Sequence, residues 1–510
     1  MTEAPARMTP ERRALLLALG GGAVALVIAV VLFTRFSIND NFWRDEAIYS
    51  YGGQQLADGV PVYSGIFDPK PPLPTFLNAV GVLSARAVDK NDLTAMRAEF
   101  FVFALLTVVA VYVLGLWLWR SPLAALAGAV TFASFQGFAQ DALGGPDAKT
   151  PGLLLMVASL ALLVRRRWFL AGIAGSLAFL DWQPLGICAA AAVLGALLVN
   201  EPEDESRWKR GARALGGVAI PLTATVLFLL IDGGLSRFIE ASFTFPATGL
   251  RRGHVTLGGN IDTIVRVVND HYGHTRVLFW GGLVLLAGVL TAWLLRGRRR
   301  VPALVVLGTL AAFVAASVYD FQGYPDLYPL LPYAAIGIGG AVAVVAPAVT
   351  GLWPRRVAAG LALAAVAVLA GLSVHWFDGA RDAGPSLYKE RAHATKIERL
   401  LRPGERIYAL GDPTLLVLTH RRNPTRYIYL GSGVDHWAVD HTFGSLQGWQ
   451  AHIRAANPAI VVMNLWRSDL ALQMRTWLKS TYGPGKFLGN WRIFVRPDVR
   501  ARAARMGIKL

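Results

Sequence analysis

Apolar residues fall in blocks near 20 residues long through the first three quarters of the chain, separated by short polar links. Eleven such blocks stand at about 14–34, 98–117, 122–138, 150–164, 168–184, 187–199, 214–232, 277–295, 302–318, 329–350 and 357–376. They are continuous rather than alternating, which predicts lipid-facing helices; a span needs about 20 such residues. Blocks 150–164 and 187–199, at 15 and 13 residues, fall short of that length and barely cross the hydrocarbon. Residues 71–88 are also apolar, but Pro71, Pro72, Pro74 and Asn78 predict an interfacial helix there. After residue 376 the pattern changes. Short β-like runs (Arg406–Leu410, Arg426–Leu430, Ala459–Asn464, Trp491–Val495) alternate with helix-like runs near 386–402, 443–456 and 468–480. That alternation predicts a small α/β domain with a mainly parallel sheet. The expected fold is thus a polytopic α-helical membrane protein of about eleven spans over 1–376, with an extracytoplasmic α/β domain over 377–510.

Composition agrees with the pattern. Of 510 residues 54% are hydrophobic and 16% charged, against about 25% charged in soluble domains. A wholly soluble enzyme is excluded. The net charge of +17 does not indicate a nucleic-acid partner, because the charge sits between membrane-length apolar runs. With the N-terminus inside, the inner loops hold 17 Lys and Arg in 47 residues, and the outer loops only 10 in 129. This positive-inside bias sets the orientation, with the C-terminal domain outside a cytoplasmic (inner) membrane. Ser37–Phe42 offers no small-residue cleavage site, so the first run is expected to stay as an anchor. Cys188 is the single cysteine; it excludes an internal disulfide and reads as helix packing.

Polar clusters beside a bilayer need an explanation. The first outer loop, 35–97, is the richest. It carries Arg44-Asp45-Glu46-Ala47-Ile48-Tyr49, Asp58-Gly59 and Phe67-Asp68-Pro69-Lys70-Pro71-Pro72. The bland reading is a capped interfacial helix with solvated charges. The second outer loop runs Gln140-Asp141-Ala142-Leu143-Gly144-Gly145-Pro146-Asp147-Ala148-Lys149; there Asp147 either caps the next helix or stands as a second carboxylate at the face of Asp45. Two carboxylates and a lysine around one cavity suit deprotonation of a hydroxyl and neutralisation of a leaving phosphate. Spacing alone leaves both readings open. Asp181 ends a span on the outer side, where it either lines a cavity or anchors at the interface. Tyr319, Tyr324, Tyr328 and Tyr333 read first as an aromatic belt. His271 and His274 offer a metal pair without a third ligand, so metal ligands stay unknown and a divalent cation stays an open cofactor.

The run Arg44-Asp45-Glu46-Ala47-Ile48-Tyr49 … Gly59-Val60-Pro61-Val62-Tyr63 … Lys70-Pro71-Pro72-Leu73 resembles the first periplasmic loop of C-type (GT-C) glycosyltransferases. Within them it is most similar to the protein O-mannosyltransferase-like group and the aminoarabinose transferases that modify lipid A. Asp147 before an apolar span resembles the second-loop Asp of that fold, and Tyr328-Pro329-Leu330-Leu331-Pro332 its late Tyr motif. The resemblance covers about 1–350 in layout. It implies transfer of a sugar from a polyprenyl phosphate donor to an envelope glycan, lipid or protein acceptor. Asp45 would then be the general base or acceptor-orienting carboxylate, with Asp147 on the acceptor side. Lys70 would contact the donor phosphate, with Tyr49 beside it, and Arg44, Glu46, Asp181 and Tyr328 complete the cavity candidates. Phe67 stands where some aminoarabinose transferases have Tyr, and Leu327 where a basic residue or His often precedes the late Tyr. Further phosphate contacts are therefore sought in Arg251, Arg252 and His254.

Direct displacement at the anomeric carbon, with inversion, needs only a base on the acceptor and a stabilised phosphate. A transporter or flippase for a lipid-linked or envelope substrate is the alternative. It would favour paired broken helices at mid-membrane, which the sequence does not suggest. The C-terminal domain carries +11 of the net charge. It is expected to hold acceptor, wall polymer or lipid headgroups without doing chemistry, and its tail Arg500–Lys509 is expected to be disordered.

Overall fold

The computed structural model describes residues 9–42, 44–199, 206–249, 256–352, 354–380 and 386–508. Each apolar block is helical. Helix α1 (Pro10–Phe33) starts on Thr9, whose hydroxyl accepts the Arg12 N–H. The half-polar helices α2 (Arg44–Ala57) and α3 (Leu73–Ala87) follow, and the long α4 (Asp92–Trp119) is capped by Asn91. The block 122–138 is broken at Ser134–Phe135 into α5 (Pro122–Ala133) and α6 (Gln136–Asp141). Then come α7 (Thr150–Val164), α8 (Trp168–Asp181), α9 (Gly186–Leu198) and α10 (Arg207–Ile231). Short helices α11 (Leu235–Ile239) and α12 (Phe245–Thr248) flank a π-helical turn at Glu240–Thr244 and precede α13 (Leu257–His271). The helical part closes with α14 (Arg276–Leu295), α15 (Arg300–Tyr319), α16 (Leu331–Leu352) and α17 (Arg355–Gly379).

Among the described residues seven helices are long and apolar enough to cross a membrane, and four shorter apolar helices lie among them. The chain is a multi-pass membrane protein. Small residues let the helices approach closely, as expected where lipid supplies no hydrophobic drive between them. A Cβ on Gly337 would strike the Gly282 carbonyl, one on Gly339 the Ala124 carbonyl, and one on Gly217 the Phe169 carbonyl. These contacts bring α16 against α14 and α5, and α10 against α8. Residues 71–88 form the expected short helix, with Asn78 buried and its amide donating to the Pro74 carbonyl (2.7 Å).

The C-terminal part contains α18 (Leu387–Leu400), β1 (Ile407–Leu410), α19 (Thr414–Thr419), α20 (Val434–Ala438), α21 (Leu446–Ala456) and β2 (Ile460–Met463). It ends with α22 (Asp469–Tyr482), β3 (Lys486–Leu488), β4 (Trp491–Val495) and α23 (Pro497–Arg505). The sheet order is β1-β2-β4-β3. Only β1 and β2 run parallel; β4 is antiparallel to both β2 and β3. The sheet is therefore mixed rather than mainly parallel, because β3 and β4 are joined by the tight turn at Gly489-Asn490 instead of a crossover helix. The β-like run 426–430 is not a strand. Its carbonyls leave the sheet: Arg426 O accepts the Phe67 N–H (2.8 Å) and Ile428 O the Gly411 N–H (2.6 Å). The basic tail is ordered to Arg505, since Val499 and Ala503 are buried and Arg502 pairs with Glu405 (2.5 Å).

This α/β part sits directly on the first loop. Tyr51 on α2 accepts the Asn423 N–H (2.9 Å), and the Leu387 N–H donates to Asn39 O (2.9 Å). Arg426 donates to both carboxylate oxygens of Glu240 (2.7 and 2.8 Å). An aromatic box of Phe67, Tyr427, Phe245 and Trp437 fills the joint.

Candidate active site

The turn Asp68-Pro69-Lys70 is pinned from every side. Asp68 Oδ1 accepts the Lys70 N–H (3.0 Å), a local side-chain turn. The Lys70 carbonyl accepts the Tyr63 hydroxyl (2.8 Å) and the Ser242 hydroxyl (3.1 Å), and Gln183 donates to Pro69 O (2.7 Å). With its backbone fixed, Lys70 points its ammonium over the Tyr49 ring (5.0 Å) and to 4.0 Å from Asp45 Oδ2. Burial pushes Asp68 up to about 6 against the pull of Lys70. Burial also holds the Tyr49 phenol well above its ordinary value, with Asp68 and Asp45 adding to the shift.

Asp45 and Glu46 stand in the first turn of α2, where carboxylates face the positive end of the helix. They do different things. Glu46 is buried and bonds Arg97 Nε at 2.6 Å, while Arg97 Nη1 also donates to the carbonyls of Ile38 and Asp40. This clamp fixes the segment leading into α2. Asp45 is 54% exposed, toward the cavity. From the C-terminal part, Glu390 Oε2 accepts the Phe42 N–H (3.1 Å) and steadies the same segment. Burial pushes Glu390 up to about 7.

In the second loop, Asp147 caps α7: it accepts the backbone N–H groups of Lys149 and Thr150 and the Thr150 hydroxyl (2.7 Å). It also lines the cavity, and burial raises its carboxyl. Lys149 is neutralised by Asp326 (2.6 Å) and lies over Trp182. Asp141 accepts the hydroxyls of Tyr324 (2.7 Å) and Tyr328 (2.5 Å), and burial pushes it up to about 6.

These groups face one cavity of about 730 Å³. The membrane part lines it with Asp45, Tyr49, Lys70, Asp141, Asp147 and Tyr328, and the C-terminal part with Glu390, Asp412, Thr414, Asn464, Asn490 and Trp491. The geometry places a lysine and a carboxylate side by side at the mouth of a helical bundle, under a polar roof. Such an arrangement can hold an anion at Lys70 and take a proton at Asp45.

Of the residues singled out in the sequence, the structure brings Asp45, Glu46, Tyr49, Lys70, Asp147 and Tyr328 to this cavity. Asp181 is fully buried against the first turn of α7 near Gly152 and does not line it. Arg251, Arg252, His254 and the Arg44 side chain lie outside the described residues. His271 stacks on Tyr324 (4.4 Å) and His274 on Trp376 (4.9 Å). Among the described residues no three His, Cys, Asp or Glu side chains converge as metal ligands. Asp141, Glu390, Asp412 and Asn464 were not singled out from the sequence. Asp412 stands two residues past β1 and Asn464 directly after β2, and that placement was the available signal.

No family model and no curated protein matches the chain in sequence. Solved structures do match in fold. ArnT from Cupriavidus metallidurans in the apo state superposes with a TM-score of 0.63 at 17% identity, over 93% of this chain and 98% of that one. The same protein bound to undecaprenyl phosphate gives a TM-score of 0.61 at 17% identity, over 93% of this chain and 97% of that one. The chain therefore has the fold of a C-type glycosyltransferase along nearly its whole length.

Proposed function

We propose that this protein is an integral membrane glycosyltransferase that moves a sugar from a polyprenyl phosphate carrier to an extracytoplasmic acceptor in the cell envelope. In this reading residues 1–376 form the catalytic membrane unit, with the N-terminus inside the cytoplasmic membrane, and 377–510 an outer unit. The observation that carries the reading is the pair Lys70–Asp45, 4.0 Å apart at a cavity mouth on the bundle. Undecaprenyl phosphate in a neighbour of the same fold supports a polyprenyl phosphate here.

Asp45 accepts the proton of the acceptor hydroxyl or amine as the acceptor atom forms its bond to the anomeric carbon. The bond from that carbon to the phosphate oxygen breaks, and the phosphate leaves with the electron pair, its charge met by Lys70. The configuration inverts, and no covalent intermediate with the enzyme is needed. Tyr49, beneath the Lys70 ammonium, holds that cation in place by its ring face. The acceptor class and the sugar are left to the test. Purified full-length protein in detergent is given polyprenyl-phosphate-linked sugars and envelope acceptors. Glycosyl transfer without any sealed compartment is expected; its absence, with substrate movement seen only in sealed vesicles, would favour a transporter.

A further inference from the structure

The roof of the cavity is built by one edge of the sheet. Strands β1 and β2 run parallel, and the residues just past their carboxyl ends, Asp412 and Asn464, both line the cavity. Because β4 is antiparallel to β2, with Arg492 opposite Met463, the turn Gly489-Asn490 comes to that same edge. Crevices beyond the carboxyl ends of parallel strands are the usual place for ligands in open sheets with helices. The two parts bring different groups: the membrane part supplies carboxylates (Asp45, Glu46, Asp141, Asp147) and cations together. Both cations that line it among the described residues, Lys70 and Lys149, belong to the membrane part. The sheet edge and α18 contribute two carboxylates, Asp412 and Glu390, and the amides of Asn464 and Asn490.

Asp412 is the organiser of this edge. Its Oδ1 accepts the Thr414 N–H (2.8 Å) and hydroxyl (2.6 Å), and its Oδ2 accepts the Asn464 amide (3.0 Å). Asn464 Oδ1 in turn accepts the Leu465 N–H (2.9 Å). Leu465 adopts a positive φ of 54° while 43% exposed at the cavity, a conformation uncommon outside glycine. Phe487, 65% exposed, adds an aromatic ring at the rim, with the Arg492 guanidinium over one of its two faces (4.5 Å).

We infer that this sheet edge, through Asn464, Asn490 and Glu390 with Phe487 at the rim, is a subsite for a polyhydroxylated ring. Amides both donate to and accept from hydroxyls, carboxylates accept from them, and an aromatic face suits the C–H face of a sugar. Among the described lining residues this edge offers a phosphate no cation, whereas Lys70 and Lys149 belong to the membrane part. The inference rests on the transfer reading for its context but not for its test. The ring belongs either to the donor's sugar or to a glycan acceptor; the chemistry at this edge is the same.

The test uses detergent-solubilised full-length protein and a panel of neutral and amino methyl glycosides, followed by saturation-transfer NMR. Wild type should bind at least one glycoside. Asn464→Ala/Asn490→Ala should bind it about tenfold more weakly, the loss expected for two ordinary hydrogen bonds. Asn490→Ala/Phe487→Ala, both at exposed positions, serves if the first variant unfolds. In the transfer assay, a raised KM for donor that persists with water as acceptor would assign the ring to the donor. A raised acceptor KM alone would assign it to the acceptor. Glycoside binding lost in the variants of a protein that transfers nothing would keep this subsite and remove the transfer reading. Unchanged binding and unchanged KM values in folded variants would overturn the subsite and leave that reading standing.

Discussion

Lys70 Nζ and Asp45 Oδ2 stand 4.0 Å apart, whereas the other lysine of the cavity, Lys149, is held by Asp326 at 2.6 Å. The looser pair has the cation that an incoming phosphate can engage. A phosphate drawn to Lys70 would weaken that cation's hold on Asp45 and so raise the basicity of its carboxylate.

Asp45→Asn keeps the shape of the side chain and removes the base. Turnover is expected to fall by about 10² or more with the fold intact. Near-normal turnover would remove Asp45 from the chemistry. Its neighbour is the opposite case: Glu46→Gln strands the buried Arg97 guanidinium, and a loss of about 3–5 kcal/mol in stability is expected, since one partner of a buried pair is removed. Thermal unfolding of the two variants should therefore differ as sharply as their activities do, in the reverse order.

Lys70→Ala should weaken donor binding or slow departure of the phosphate, by a few kcal/mol for a charge-assisted contact, roughly 10²-fold. Lys70→Arg should recover part of it. If both variants handle donor like wild type, the phosphate sits elsewhere, and Arg251 and Arg252 become the residues to replace.

Asp147 both caps α7 and lines the cavity, and substitution can separate the two. Asp147→Ser retains a capping oxygen, so stability should stay within about 1 kcal/mol of wild type. If activity nonetheless falls as far as in Asp147→Ala, the carboxylate acts in the reaction; if activity follows stability, it is only a cap.

Asp68 makes stability depend on pH. Its ordinary value is 3.8 and burial raises it to about 6, so the folded protein holds this proton where the unfolded chain has lost it. The contribution is complete below about pH 4 and disappears as pH rises through 6, with an upper bound of about 3 kcal/mol. Asp141 and Glu390 shift in the same direction, so the comparison is between wild type and Asp68→Asn. Unfolding temperatures measured from pH 4 to 7 should fall more steeply for wild type; parallel curves would show that Asp68 stays ionised throughout.

The eleven helices were legible because membrane length and apolarity are local properties: 14–34 or 302–318 can be read without knowing any neighbour. That Asp45 and Lys70 come together was legible because both lie in one contiguous loop. What could not be read is pairing at a distance. Residues 426–430 look like a strand, yet their carbonyls serve Phe67 and Gly411. Asp141 and Asp147 look equivalent in the second loop, but only the fold brings two tyrosine hydroxyls to the first and leaves the second as a helix cap. The C-terminal part was expected to hold acceptor without doing chemistry; that Glu390 bonds the segment before Asp45 and that Asp412 lines the same cavity are contacts its sequence does not display.

The cavity is lined by four separate stretches of the chain, residues 42–70, 141–149, 324–328 and 390–491. During synthesis the first stretch is made early, and the roof is made only after the last apolar helix. A nascent chain paused between them would carry the lysine and the carboxylate without the wall that closes over them. The enclosed cavity therefore exists only once distant parts of the chain have been made and brought together, so a chain ending before residue 390 would lack one of its walls.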